Sequence, residues 1–128
     1  MLVVDADVII RFLTKDDLTK AKRFKKFLES GKAAAITEVT LAEVYWTLHS
    51  FYRYPKQKII DALQLLIFRP SIRCQKTLMS KALEILNATN ISFIDAYTAA
   101  YSLTKHQGRI LSYDKGFAKV KGVKRLEP

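Results

Sequence analysis

Apolar residues recur along this chain in two rhythms, short continuous runs and stretches spaced three and four apart, and the two alternate almost from end to end. The run Met1-Leu2-Val3-Val4 ends in Asp5 and predicts a buried strand, because a short apolar run without polar alternation fits a strand covered on both faces. Asp7 then stands as the N-cap of a helix through Val8, Ile9, Ile10 and Leu13. From Asp17 to Ser30, Leu18, Ala21, Phe24 and Leu28 fall on one face and Lys22, Arg23 and Lys26 on the other. That spacing predicts an amphipathic helix stopping at Gly31. Ala33 to Ile36 reads as a second short strand.

Thr37 or Thr40 caps a long helix through Leu41, Val44, Tyr45, Leu48 and Phe51, expected to stop near Tyr54 because Pro55 follows. Pro55 fits the first turn of the next helix, which carries Ile59, Ile60, Leu63, Leu66 and Ile67 and ends at Arg69-Pro70. Ile72 to Cys74 is a brief third strand, and Lys76 to Ala88 a helix with Leu78, Ala82, Ile85 and Leu86 apolar. Ser92 caps a helix that opens Phe93-Ile94-Asp95-Ala96-Tyr97, runs to about His106 and is closed by Gly108. Arg109 to Ser112 is a fourth strand, and Val123 a candidate for a fifth. Strands alternating with helices predict an α/β fold, a parallel sheet covered by helices on both faces. No repeat, linker or low-complexity stretch divides the chain, so residues 1–128 are expected to form one domain.

Composition narrows this picture. Only four Gly and three Pro argue against a loop-rich or all-β chain. The lone cysteine, Cys74, cannot form an internal disulfide. The first residues lack the basic region of a signal peptide, and the richest apolar run, Ala62 to Phe68, is too short to span a bilayer. The expectation is a soluble, cytoplasmic protein with no membrane segment. Against 12 Asp and Glu stand 22 Lys and Arg, a formal net charge of +10. Such an excess points to an acidic partner, whether nucleic acid, an acidic protein or anionic lipid, with a solubilising surface charge as the plain alternative.

In parallel sheets of this kind, ligands bind beyond the carboxyl ends of the strands, which makes the acids at those edges informative. Asp5 ends the first strand, Glu43 lies in the helix after the second, Asp95 opens a helix, and Asp114 follows the fourth strand. Singly each has a harmless explanation. Asp95 completes a capping box with Ser92, Asp114 caps the turn Asp114-Lys115-Gly116-Phe117, and Asp5 caps the next helix. Glu43 stands between the apolar helical neighbours Val39 and Trp46, where a carboxylate would lose hydration unless an exposed groove excuses it. Gathered together, such carboxylates repel unless a proton or a cation intervenes. A hard divalent ion is the economical compensation, since Mg²⁺ and Mn²⁺ favour oxygen ligands. Cys74, His49 and His106 lack zinc-type spacing, and both histidines read as surface or helix-end residues. There is no glycine-rich phosphate loop.

Val3-Val4-Asp5-Ala6-Asp7, Leu41-Ala42-Glu43-Val44, Phe93-Ile94-Asp95-Ala96-Tyr97 and Ser112-Tyr113-Asp114-Lys115-Gly116-Phe117 resemble the four acidic motifs of the PIN-domain family, in the family's order. The compact size is similar to its VapC-like toxin branch. The resemblance implies a three-layer α/β/α sandwich and metal-dependent cleavage of RNA. Asp5, Glu43, Asp95 and Asp114 match the metal-binding and catalytic acids, with Mg²⁺ or Mn²⁺ as cofactor. Asp7 stands where the family often has Asn, either a supporting carboxylate or a helix cap, the cap being favoured here. Gly116 stands where another acid is frequent. Ser112 matches a frequent hydroxyl, expected to orient a water or an acid. Arg11, Lys15, Lys115 and Lys119 are the rim cations expected to hold an RNA backbone. The resemblance also implies an antitoxin partner and a homodimer. Two rivals stand beside this reading. One is a catalytically inactive module of the same fold that binds RNA or protein. The other is a haloacid-dehalogenase-type phosphohydrolase prompted by Asp5-Ala6-Asp7; it wants a hydroxyl where this chain has Ile9.

Overall fold

In the computed structural model, which describes residues 1–128, six α-helices alternate with five short parallel strands, a mostly helical α/β fold. The chain divides into two units, Met1–Lys76 and Thr77–Pro128. No helix is long and apolar enough to cross a membrane.

The first unit holds β1 (Leu2–Val3), α1 (Ala6–Thr14), α2 (Leu18–Leu28), β2 (Ala34–Ala35), α3 (Glu38–Trp46), α4 (Lys56–Ile67) and β3 (Ile72–Arg73). Its strands pair in the order β1-β2-β3, with Leu2 opposite Ala34 and Ala34 opposite Ile72. Ile9, Leu41, Val44, Leu48, Ile59, Leu63, Leu66, Ile67 and Ile72 are fully buried, and α1 packs on both α2 and α3. The helical spacing of these residues explains why the polar sides of their helices face water.

Several expectations need correction here. The first strand is not buried: Leu2 and Val3 are 61% and 69% exposed, and only Val4 is covered. One edge of β1 pairs with β2, but burial of its side chains does not follow from an apolar run alone. The cap of α1 is Asp5 rather than Asp7; Asp5 has extended backbone (φ −84°, ψ 157°) and makes no capping hydrogen bond, while Asp7 lies within the first turn. Asp17, expected only as the start of the helix, is the cap of α2, its Oδ1 accepting from the Lys20 amide at 3.1 Å. Leu18, expected on the buried face, is 60% exposed, whereas Ala21, Phe24 and Leu28 are buried. Of the two threonines, Thr37 caps α3, accepting from the Thr40 amide. That helix is not continuous to Tyr54: from Thr47 to Phe51 it widens into a π-helical turn. Tyr52 N–H then reaches back to the Thr47 carbonyl and Tyr54 N–H to that of Leu48, and Arg53 takes a left-handed conformation (φ 58°) before Pro55. Pro55 is the N-cap of α4 rather than a member of its first turn.

The second unit holds α5 (Lys76–Ala88), α6 (Phe93–Lys105), β4 (Arg109–Leu111), a 3-10 turn (Lys115–Lys119) and β5 (Lys124–Leu126). Both helices match the expected bounds closely. Strands β4 and β5 are parallel, with Arg109 opposite Lys124 and Leu111 opposite Leu126. Val123, the candidate for a fifth strand, lies just before β5. Gly108 closes α6 with φ +79°; a Cβ there would run into the Gly122 carbonyl, so only glycine lets the chain turn from α6 into β4.

Candidate active site

The site residues fall in both units. In the first, β1 and β2 are parallel neighbours, and an acid follows each in sequence, one at the strand end and one on the helix after it. Asp5 follows β1 directly. Glu43 stands on α3, the helix that β2 leads into, one helical turn from Val39 and from Trp46. All three of these α3 residues are exposed, Val39 and Trp46 at 78% and 65%. The carboxylate of Glu43 therefore keeps its hydration, and the apolar neighbours impose no penalty on it.

In the second unit Ser92 caps α6, its hydroxyl accepting from the Asp95 amide at 3.1 Å. The cap holds the Asp95 backbone in the first helical turn, where a carboxylate also favours the helix dipole. Asp114 caps the 3-10 turn, its Oδ1 accepting from the Gly116 amide at 2.8 Å. The Ser112 hydroxyl accepts from the Asp114 amide at 2.9 Å, so the hydroxyl orients an acid through its backbone. Gly116 matters here as well. A Cβ at that position would lie 3.1 Å from Asp114 Oδ1, so any side chain would press on the carboxylate that the turn holds.

Hydrogen bonding sorts the acids further. Asp16, Asp17, Glu38, Asp61, Glu84 and Glu127 all have side-chain partners. The carboxylates of Asp5, Asp7, Glu43 and Asp95 make no hydrogen bond or ion pair, and Glu29 alone shares that state. In a chain carrying ten more cations than anions, acids left without a cation are acids that the fold keeps available. No group of three or more Asp, Glu, His or Cys side chains that could hold a metal ion is found. Asp5 and Glu43 lie in the first unit, and Asp95 and Asp114 in the second. Their chemistry fits a hard divalent ion: oxygen donors only, hydrated and uncommitted, with Asp114 holding one oxygen outside its cap bond.

The rim cations divide. Arg11 is committed to Asp16 at 2.8 Å, and Tyr52 donates to the same carboxylate at 3.0 Å. Burial pushes Asp16 up, but bonds from Tyr52 and Thr14 and the Arg11 guanidinium outweigh it and hold its carboxyl below the ordinary range. Lys119 donates to Asn90 at 3.2 Å. Lys15 ends α1 in a left-handed conformation (φ 57°), and it and Lys115 are exposed. His49 stacks on Tyr45 in the π-helical turn and His106 ends α6, both exposed, as expected of surface residues. Sequence reasoning took Lys22, Arg23 and Lys26 only as the polar face of a helix and left the densest cationic stretch, Lys20, Lys22, Arg23, Lys25 and Lys26 on α2, out of the rim cations; α2 contains no acid. Amphipathic spacing alone makes such a run look like a solvated face.

The family model described as the PIN domain matches residues 2–123. No curated protein matches the chain.

Proposed function

Since the chain belongs to the PIN-domain family, whose members are typically metal-dependent nucleases, we propose that it is a ribonuclease hydrolysing RNA phosphodiester bonds. Its principal acids would be Asp5, Glu43, Asp95 and Asp114. The observation that carries this reading is the pairing pattern. Asp5, Glu43 and Asp95 are left without partners in a chain of net charge +10, and Asp114 keeps one oxygen outside its cap bond.

Asp5, Asp95 and Asp114 would hold Mg²⁺ or Mn²⁺, with Glu43 completing the set or positioning the attacking water. When bound, the ion supplies Lewis-acid stabilisation of phosphoryl charge and acidifies water. The chain's own contributions are positional. Ser92 and the α6 backbone fix where Asp95 starts, and Ser112 and Gly116 fix Asp114. Asp7, in the first turn of α1, is an unpaired carboxylate that stands outside these four principal acids. Lys15 and Lys115, exposed and uncommitted, are the better placed of the four rim cations to meet phosphate. On the same reading the protein is a cytoplasmic, VapC-like toxin of a type II toxin–antitoxin pair, neutralised by a cognate antitoxin and acting as a homodimer.

The test is cleavage of labelled RNA by the full chain with Mn²⁺, with Mg²⁺ and with EDTA. Metal-dependent cleavage lost in Asp95→Asn and in Asp5→Asn is the expected result. No cleavage under any metal, with folding intact, would leave the inactive binding module. A Mn²⁺ titration adds an independent readout: the ion should raise the thermal midpoint of the wild type and not that of Asp95→Asn.

A further inference from the structure

Between α1 and α2 in the first unit lies a cleft of about 380 Å³, lined by Asp7, Arg11, Lys20, Arg23, Phe24 and Phe27 among others. Its volume falls at the small end of ligand sites, roughly 300–1,000 Å³. The floor is aromatic. Phe24 is buried and Phe27 half-buried, their rings nearly parallel (9°) with centroids 6.2 Å apart, and Phe12 meets Phe24 edge-on at 5.3 Å. Phe27 thus packs on a buried ring and is itself only half-buried where it lines the cleft. The wall is cationic. Arg23 has no partner, Lys20 is only 4.0 Å from Asp17, and Arg11 is paired with Asp16. Asp7, on α1 with Arg11, also lines the cleft and has no partner.

We infer that this cleft is a nucleotide subsite of the RNA strand, with one base on the Phe27 face, its flanking phosphates on Arg23 and Lys20, and Asp7 accepting from an exocyclic amine. The inference rests on the ribonuclease reading for its choice of strand. Each component matches a known mode of single-strand recognition: an aromatic platform for the base, cations tracking the backbone, and a carboxylate reading an amino group. An aromatic ring beside an unpaired acceptor favours a base over an acidic protein segment, since cytosine or adenine offers both a flat face for Phe27 and an amino donor for Asp7, whereas an acidic side chain offers neither. Of the five cations on α2, Lys20 and Arg23 line the cleft, and the helix carries no acid.

The test is fluorescence anisotropy of the full chain with short labelled homopolymers of adenosine, cytidine and uridine, in EDTA, over a range of salt concentrations. Arg23→Ala and Lys20→Ala should each lower the slope of log affinity against log salt by about 0.7, the value for one phosphate contact on a single strand. Phe27→Ala should weaken binding about 5- to 100-fold with the slope unchanged, and Phe27→Trp should restore it. Asp7→Asn should narrow the preference for cytidine and adenosine over uridine, and Lys58→Ala, on α4, should leave the base preference as it is. Wild-type binding by folded Arg23→Ala and Phe27→Ala proteins would overturn the subsite. So would displacement of RNA by poly-glutamate with the same dependence on Arg23 and Phe27, or by a nucleoside monophosphate as strong as the oligomer. Binding in EDTA is independent of cleavage. Cleft-dependent binding without any nuclease activity sinks the nuclease reading and supports the cleft, and an active nuclease indifferent to Phe27 sinks the cleft alone.

Discussion

Asp95 and Ser92 share one helical turn yet are under different physical demands. The Ser92 hydroxyl satisfies the Asp95 amide, so Ser92→Ala should cost about 1 kcal/mol of stability, the usual value of an N-cap. The Asp95 carboxylate has no partner, and Asp95→Asn should stay within about 0.5 kcal/mol of the wild type by urea denaturation. The predicted contrast is stability lost at 92 with activity kept in part, and activity lost at 95 with stability kept. A second contrast concerns Asp16. Its folded pKa is depressed, so its bonds with Tyr52 and Arg11 contribute stability at and above the ordinary carboxylate range, and that contribution is lost as pH falls through the depressed value. Tyr52 is shifted oppositely, raised first by its bond to Asp16 and then by burial, and its contribution is lost as pH climbs through the raised value. The stability difference between wild type and Tyr52→Phe should therefore be full near neutrality and shrink toward both extremes. A difference that grows on acidification would contradict the network. At this scale the sequence was legible where side chains act locally: Ser92 caps the helix its position marks, and Thr37 is one of the two threonines that suited the start of α3. Asp7 was not legible, because Asp5 and Asp7 both suit a cap and the choice turned on where β1 ends.

Helix faces were legible, but helix ends and interruptions were not. The spacing of Ala21, Phe24 and Leu28 gives the buried side of α2 correctly, yet Leu18 on the same spacing is exposed. It occupies the first turn, past the end of the covered stripe, and periodicity assigns a direction without assigning a length. Leu18→Glu should accordingly be tolerated within about 0.5 kcal/mol. Phe24→Ala should cost about 3–5 kcal/mol, because it removes the ring between Phe12 and Phe27 and leaves a cavity. Equal costs in urea denaturation would show that α2 packs on a wider face than the one described. The π-helical turn after α3 had no sequence signal of its own. Apolar spacing runs on through Leu48 and Phe51, and the extra residue per turn shows only in the carbonyls that Tyr52 and Tyr54 reach. Strands of two or three residues are likewise too short for periodicity to place. Their existence was legible from flanking punctuation, and their cover was not: Leu2 and Val3 are as apolar as any core strand and lie in water.

Across the whole molecule two surface features act in opposite senses. The net charge of +10 makes copies of the chain repel one another. Against it, Trp46, Phe51, Leu65 and Phe68 in the first unit and Ile94, Leu111 and Tyr113 in the second are all more than half exposed, apolar side chains whose burial would favour association. Salt discriminates between the two, because the screening length falls from about 10 Å at 0.1 M to about 3 Å at 1 M while apolar association is not weakened. Self-association followed by sedimentation equilibrium should therefore strengthen with salt over that range, and RNA affinity should weaken with it, since each phosphate contact releases counterions. A homodimer held by apolar contact requires the first trend and a cationic RNA surface the second. Self-association that weakens with salt would instead mean that copies meet through ion pairs. Arg11, Lys119 and the α2 cations would then be engaged with acids of a neighbouring copy, and the surface assigned to RNA would be occupied in the free protein.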